Sequence, residues 1–458
     1  MNSLISPIPA APHQRVFLGH ASGLARDPIG LLSRLAADDT PLTRIRVGPL
    51  QLVLVCDAET AWKVLLDDST FDKGGPFYER SREVAGNGLG TCPHTQHRRQ
   101  RRLCRPAFHS NRLPGYDHET SAALRTLLRS WTDGAQVDVV AEMSQLTLDI
   151  AVRTMFSGAL PEPLIHQAAR DVRVIAEGLF RRTLTPAPLH RVPIPANKNF
   201  TRSWRRIRSL ASELVRERRS GGEDGGDLLS ALLFAYGLAG ADGGATACGD
   251  ELIDQVFTFL LAGAETTAST LSWALYLLGR SPEVANAVQA EAETAWGGPV
   301  SVSNAAVELP ILSRVVTETL RLYPPGWLLT RVATKETTLG GFSIPVGTAV
   351  VVSPLLIHRQ PQQYPEPHAF IPDRWIDKRP DKTAFMPFGA GARRCIGEQF
   401  ATRTTMLVLA TIARSWHLSP VDDAPISITL RDLPGPRRLP MRLTRRETSP
   451  TPTTADRS

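Results

Sequence analysis

The chain has 458 residues, 42% of them hydrophobic, with a formal net charge of +7 and a pI near 9.4. That apolar share suffices for a sizeable interior. Five scattered cysteines (Cys56, Cys92, Cys104, Cys248, Cys395), odd in number and without a CxxC pair, exclude a disulfide framework or zinc site and fit a reducing compartment.

No unbroken apolar run reaches the roughly 18 residues of a membrane span. Pro7 and Pro9 interrupt the N-terminus, and no basic segment precedes an apolar core, so no signal peptide is predicted and a cytoplasmic protein is expected. The length exceeds the usual prior of about 100–200 residues per domain. With no internal repeat or clear linker, a single domain over residues 1–446 is expected, followed by a Thr-, Pro- and Ser-rich tail over 447–458 that reads as disordered.

In chain order, residues 1–25 read as coil and 27–37 as a short helix, with Ile29, Leu31, Leu32 and Leu35 apolar. Residues 43–47 and 50–55 read as two strands around Gly48-Pro49, and a helix then starts at Asp57. Five glycines between 72 and 93 suggest a mobile loop. The following helix is basic: Arg98, Arg99, Arg101, Arg102 and Arg105 fall within eight positions. Such a patch can meet nucleic acid, dock an acidic protein or simply be solvated, and no nucleic-acid motif accompanies it.

Helical patterns follow at about 117–132, 140–157, 162–180 and 200–219, with glycine-rich connectors at 221–226 and 237–249. The longest pattern runs from about 250 to 278, with further helices at 283–296 and 305–322. Residues 337–354 have β character, 359–390 are proline-rich and irregular, and a helix spans 398 to about 416. The last strands are expected near 426–430 and 439–443, which makes the chain mainly α with a small β portion.

The chemistry centres on Phe388-Gly389-Ala390-Gly391-Ala392-Arg393-Arg394-Cys395-Ile396-Gly397. Glycines remove the Cβ that would keep backbone N–H groups from a sulfur. Those donors, with the positive end of the following helix, favour thiolate over thiol, and a thiolate is a metal ligand. A lone cysteine without such neighbours is usually an inert small hydrophobe.

In the longest helix Thr258, Leu261, Ala262, Glu265 and Thr266 share one face, placing a carboxylate and a hydroxyl beside small residues in an apolar segment. A buried polar pair is costly without partners; a core threonine bonded back to its own helix is the plain alternative. Glu318 and Arg321 stand at i, i+3 and can pair on one face.

The cysteine stretch resembles the haem-binding signature of the cytochrome P450 family, with every signature position filled. Ala262-Gly263-Ala264-Glu265-Thr266 resembles that family's oxygen-binding motif. Glu318-x-x-Arg321, with Arg374 in Phe370-Ile371-Pro372-Asp373-Arg374-Trp375, resembles its Glu-x-x-Arg motif and the later segment that supplies a second arginine. The motifs lie in family order over nearly the whole chain.

The resemblance implies the cytochrome P450 fold, with haem b between the acid–threonine helix and the cysteine loop. Cys395 would bind the iron, and Phe388, Gly391 and Gly397 of its loop would help to bind the haem. His97, Arg101, Arg331 and Arg393 would meet the haem propionates. Glu265 and Thr266 would deliver protons, and Glu318, Arg321 and Arg374 would brace the loop. Many members carry Trp where this chain has His97.

Implied partners are O2, a ferredoxin with its reductase as electron donor, and a neutral lipophilic substrate lined by Phe257, Thr258, Leu261, Ala262, Trp327, Leu328 and Leu329. The remaining arginines of the basic helix would help to dock an acidic donor. No role for nucleic acid is implied. The run Asn87-Gly88-Leu89-Gly90-Thr91-Cys92, leading into the basic helix and Pro106-Ala107-Phe108-His109, is similar to that of actinobacterial terpene oxygenases of the pentalenene oxygenase kind. This implies monooxygenation of a terpene in secondary metabolism. A macrolide or other polyketide, or a fatty acid, is the next substrate class. A haem-thiolate sensor without turnover and a peroxide-driven enzyme are the rival activities.

Overall fold

The computed structural model describes residues 7–12, 18–35, 40–48, 50–156, 160–185, 187–221, 225–237, 246–295, 309–422, 426, 435–436 and 438–446. The first part of the chain gives α1 (Ala21–Arg26), α2 (Pro28–Leu35), β1 (Leu42–Val47), β2 (Leu50–Val55), α3 (Ala58–Leu66), β3 (Phe71–Asp72), α4 (Pro76–Ala85), α5 (His94–Cys104), α6 (Leu113–Ser130), β4 (Gln136–Asp138) and α7 (Val139–Phe156). The middle is helical: α8 (Glu162–Leu184), α9 (Pro195–Gly221), α10 (Leu228–Ala235), α11 (Thr246–Gly279), α12 (Pro282–Ala295) and α13 (Pro310–Leu322). Then come β5 (Leu329–Ala333), β6 (Thr337–Leu339), β7 (Phe342–Ile344), β8 (Ala349–Val352), α14 (Pro354–Ile357), α15 (Glu398–Ser415), β9 (Trp416–Pro420) and β10 (Pro440–Arg445).

The larger sheet has the order β1-β2-β8-β5-β3. Its hairpin pairs Val47 with Leu50 and Leu42 with Val55, so Leu42, Val53 and Val55 reach the core that also holds Leu65, Val350 and Met386. The 34-residue α11 runs through the helical part, packed on α7, α8, α9, α13 and α15. Its lower half joins Leu124, Met143, Leu271, Val315 and Leu409 in one core; its upper half joins Val152, Ile175, Ile207 and Val256 in another. Each wholly buried Leu or Val contributes roughly 1.5–3 kcal/mol by leaving water. Between the halves Thr147 Oγ1 on α7 donates to the Ala264 carbonyl at 2.9 Å, fixing the two helices at the acid–threonine turn.

The helix bearing Glu318 is capped from outside. The Glu291 carboxylate on α12 accepts the N–H groups of Ile311 and Leu312 at 2.7 and 2.9 Å, satisfying two donors that the first turn leaves free. Pro310 starts that helix where no N–H is needed.

Three expectations are corrected. The glycine-rich segment 72–93 holds α4: Gly75 and Gly86, both with positive φ, are its caps, with Pro76 its first residue. Their glycines mark helix ends, not a structureless loop. Within the segment taken as coil, α1 forms over Ala21–Arg26. β10 lies between β4 and β9, and β9 continues directly from α15, with Trp416 and Leu418 facing inward and paired with Arg445 and Leu443. Ile426 lies in no strand, and 427–430, like the tail 447–458, falls outside the described residues.

Candidate active site

The cysteine loop closes on itself through Cys395 N–H donating to Phe388 O at 2.9 Å. Gly389 and Gly391 both have positive φ. A Cβ on Gly391 would lie 2.4 Å from Leu65 O, so this glycine seats the loop on the end of α3 and does not serve an approach to the sulfur. Gly397 caps α15, and its N–H hydrogen-bonds to Cys395. Burial nonetheless outweighs that bond and the nearby Arg101 and Lys73 charges, so the thiol is pushed above its usual value. The loop alone therefore does not make a thiolate; a bound metal cation would reverse the balance.

Behind the loop, Glu318 and Arg321 are both fully buried. Glu318 Oε1 accepts from Arg321 Nη2 (2.8 Å), Arg374 Nε (2.9 Å) and Ile371 N (3.0 Å), while Oε2 accepts from Arg321 Nε (2.8 Å) and Trp375 Nε1 (3.0 Å). Arg321 Nη1 also donates to His358 O (2.9 Å) and Pro367 O (2.7 Å). His358 Nε2 accepts Met386 N–H at 2.9 Å, which leaves Nδ1 to donate to Arg321 O at 3.2 Å. Burial holds this imidazole neutral by lowering its pKa to about 3. His358 thus links the triad to Met386, two residues before Phe388.

The basic residues divide by helix face. On α5, His97 and Gln100 point inward, Arg101 is half-buried, and Arg98, Arg99, Arg102 and Arg105 are exposed, with Arg99 paired to Glu251. Burial first, then the charges of Arg393, Lys73 and Arg101, lowers the His97 pKa to about 3, so the ring is neutral until an anion meets these cations. Arg101 Nη1 donates to Arg394 O at 2.7 Å. Arg331 is buried on β5, with Nη1 on Thr330 O at 2.9 Å and an Nε that has no hydrogen-bond partner. Arg393 is buried too: Nη2 reaches Asp72 at 2.6 Å, Nη1 reaches Cys92 O at 2.9 Å, and Nε has only a 3.5 Å ion pair to Asp68. Lys73, unnoticed in the sequence, belongs to the same cluster.

On α11, Thr266 Oγ1 donates to Ala262 O at 2.6 Å, leaving its oxygen lone pairs to accept. Glu265 has its pKa raised to about 7, by burial first, with Arg173 opposing and Glu177 adding to the rise. Ala262 is exposed although 255–260 are all buried, and Leu261 is half-buried. Thr258 is buried with an unpartnered Oγ1, and Leu328 and Leu329 are half-buried. Phe257 has no accessible surface and sits wholly in the helical core, so it is withdrawn from the expected substrate lining. Trp327 is nearly buried, its ring 6.5 Å from that of Phe180.

Burial is the largest single influence on Lys73, Tyr78, Glu265 and Cys395, although at Tyr78 the neighbouring cations together outweigh it, yet each keeps accessible surface. Groups that are deep and accessible together border internal space. An accessible sulfur, buried guanidinium groups with spare donors and a small-residue helix face fit a flat metal-bearing group with two carboxylates, which is haem. Among the described residues no group of three or more His, Cys, Asp or Glu side chains forms a bare-ion site.

Fold and donor set thus define a haem-binding, mainly helical protein. The family model for cytochrome P450 matches residues 9–435, and the chain belongs to that family. It is 39% identical to cyclooctat-9-en-7-ol 5-monooxygenase of Streptomyces melanosporofaciens, over 90% of this chain and 89% of the relative. It is 37% identical to pentalenene oxygenase of Streptomyces avermitilis, over 95% and 97%. A solved structure, the crystal structure of cytochrome P450DA heme domain, superposes with TM-score 0.84 at 27% identity, covering 96% of this chain and 98% of that one. The protein is accordingly a haem-dependent monooxygenase that uses O2, a lipophilic substrate and an electron-donating partner. Among the described residues no helix is long and apolar enough to cross a membrane.

Proposed function

We propose that this single-domain cytochrome P450 works in the cytoplasm on a terpene, with haem b held by Cys395 and electrons delivered by a ferredoxin. The observation that carries the reading is the accessible Cys395 sulfur in a loop braced, through Met386 and His358, by the buried Glu318–Arg321–Arg374 triad. Haem held by a thiolate supplies activation of O2 and transfer of one oxygen atom, the sulfur favouring O–O cleavage, as is general for the family.

The chain's own residues bind, orient and move protons. Arg101, Arg331 and Arg393 would hold the haem carboxylates, with neutral His97 as a hydrogen-bond donor. Glu265, near half-protonated at neutral pH, can take a proton from solvent and pass it on through water on the Thr266 side of the helix. Thr266 is oriented by Ala262 O and can accept a hydrogen bond from water. The exposed Arg98, Arg102 and Arg105 form a basic face suited to an acidic electron donor.

The terpene assignment rests on the names of two relatives, pentalenene oxygenase and cyclooctat-9-en-7-ol 5-monooxygenase. Leu261, Ala262, Leu328 and Leu329 supply apolar surface consistent with it. Titrating ferric holoprotein with cyclic terpenes, macrolides and fatty acids, and following the haem absorption, tests the class. Terpenes are expected to shift the spectrum at micromolar concentration; a shift only with fatty acids or macrolides would refute the assignment.

A further inference from the structure

Lys73 follows the two-residue strand β3, whose Asp72 pairs with Val332 on β5. That register brings the next residue abreast of Arg331. The chain can run this close because residue 74 is glycine: a Cβ there would stand 2.7 Å from Val332 Cγ2. Arg82 holds the backbone, donating to Lys73 O at 2.9 Å and to Thr91 O at 2.8 Å.

The Lys73 side chain turns inward. Its Nζ donates to Gly90 O at 2.7 Å and stands 5.4 Å from the centre of the Tyr78 ring. An ammonium has three donors, and Gly90 O engages one. The nearby carboxylates are otherwise engaged: Asp72 accepts from Arg393 and from His94 N–H, and Asp68 pairs with His94 and Arg393. Lys73 thus feels the charges of Arg331 and Arg393, Arg101 feels that of Arg393, and the two acids serve chiefly Arg393. Positive charge in excess at depth is costly unless an anion meets it.

We propose that Lys73, with the Tyr78 phenol beside it, is a further arm of the pocket that holds the haem carboxylates. The assignment rests on the haem reading above. Two shifts agree with it. Burial, then Arg331 and Arg393, lowers the Lys73 pKa against the pull of Tyr78. Burial would raise the Tyr78 phenol, but Lys73 and a charge and hydrogen bond from Arg331 bring it below its ordinary value. A dianionic group entering this cluster would satisfy both.

The test compares K73M, K73R and Y78F as purified holoproteins. Haem loss is followed by transfer to excess apomyoglobin, and the iron midpoint potential is measured by dye-coupled titration. Losing one charge-assisted bond predicts about tenfold faster haem loss in K73M, with a lower potential because a cation that opposes the ferric state is gone. K73R stays near wild type on both. The band of the reduced carbon monoxide complex stays at the sulfur-ligated position in all three, which keeps this test separate from that of Cys395.

Wild-type haem loss and potential in K73M would overturn the assignment and leave the haem reading intact; a wild-type protein that binds no haem would overturn the reading itself. A role limited to tying Gly90 would lower the unfolding midpoint without moving the potential, which also counts against the proposal. Should K73M yield too little holoprotein, Y78F decides: it keeps the Gly90 tie, so faster haem loss with an unchanged unfolding midpoint supports the shared arm, and unchanged haem loss refutes it.

Discussion

Replacing Glu318 by glutamine tests the brace behind the cysteine loop. The carboxylate receives five hydrogen bonds, three of them from guanidinium groups, at 2.8–3.0 Å and no solvent exposure. The amide is nearly isosteric, but it accepts through one oxygen only. Either two donors, Arg321 Nε and Trp375 Nε1, or three, Arg321 Nη2, Arg374 Nε and Ile371 N, would then face an NH2 group. The buried Arg321 would also lose its counter-charge, because its other acceptors, at His358, Pro367 and Ala369, are all neutral carbonyls. Breaking a buried pair from one side costs about 3–5 kcal/mol, a large part of the roughly 5–15 kcal/mol that holds a domain together. Urea unfolding of wild type and E318Q, followed by far-UV circular dichroism and haem absorption, measures the difference. The haem signal is expected to be lost first, since the strain passes through His358 to Met386. A variant within 1 kcal/mol of wild type, with haem and backbone signals coincident, would refute the reasoning; roughly 1 kcal/mol is the ordinary effect of a substitution.

Three further outcomes follow from the same geometry. Glu265 has a native pKa of about 7 against an unfolded value of 4.5, so between those values the native state binds the extra proton and stability falls as pH rises. E265Q should therefore gain on wild type by up to roughly 3 kcal/mol between pH 4.5 and 8; parallel pH–stability curves would contradict the burial of this carboxyl. T266A should keep its haem but divert reducing equivalents to peroxide, read as hydrogen peroxide formed per electron pair supplied, and full coupling to product would remove the role given to the hydroxyl. G391A puts a Cβ 2.4 Å from Leu65 O at a positive φ. The backbone conformation alone costs about 1–3 kcal/mol, so a lower unfolding midpoint is expected, and an unchanged one would contradict the seating of the loop on α3.

Much of this was legible because it is written in local spacing. The long helix, the α13 helix with Glu318 and Arg321 on one face, and the β character of 337–354 all follow from the local residue pattern. What was missed depends on contacts distant in sequence. Gly75 and Gly86 read as loop residues because a cap is recognised only once the helix between them is known. The inward strand Trp416–Pro420 follows a helix without a break, and only β10 reveals its pairing. Lys73 looks like any surface lysine until β3 pairs with β5 and brings it beside Arg331. His97 sits where a cation was expected, but burial and the charges of Arg393, Lys73 and Arg101 lower its pKa, and of those neighbours only Arg101 is visible from α5 itself.

The central claim is that Cys395 supplies the sulfur that binds the haem iron. Reduction of the purified holoprotein under carbon monoxide addresses it most directly. The account predicts the red-shifted absorption that a sulfur anion opposite the gas produces, and its loss in a C395H variant that still holds haem. A folded, haem-loaded wild type with only the shorter-wavelength band of a histidine-ligated haem, or a C395H variant that keeps the red-shifted band, would contradict it.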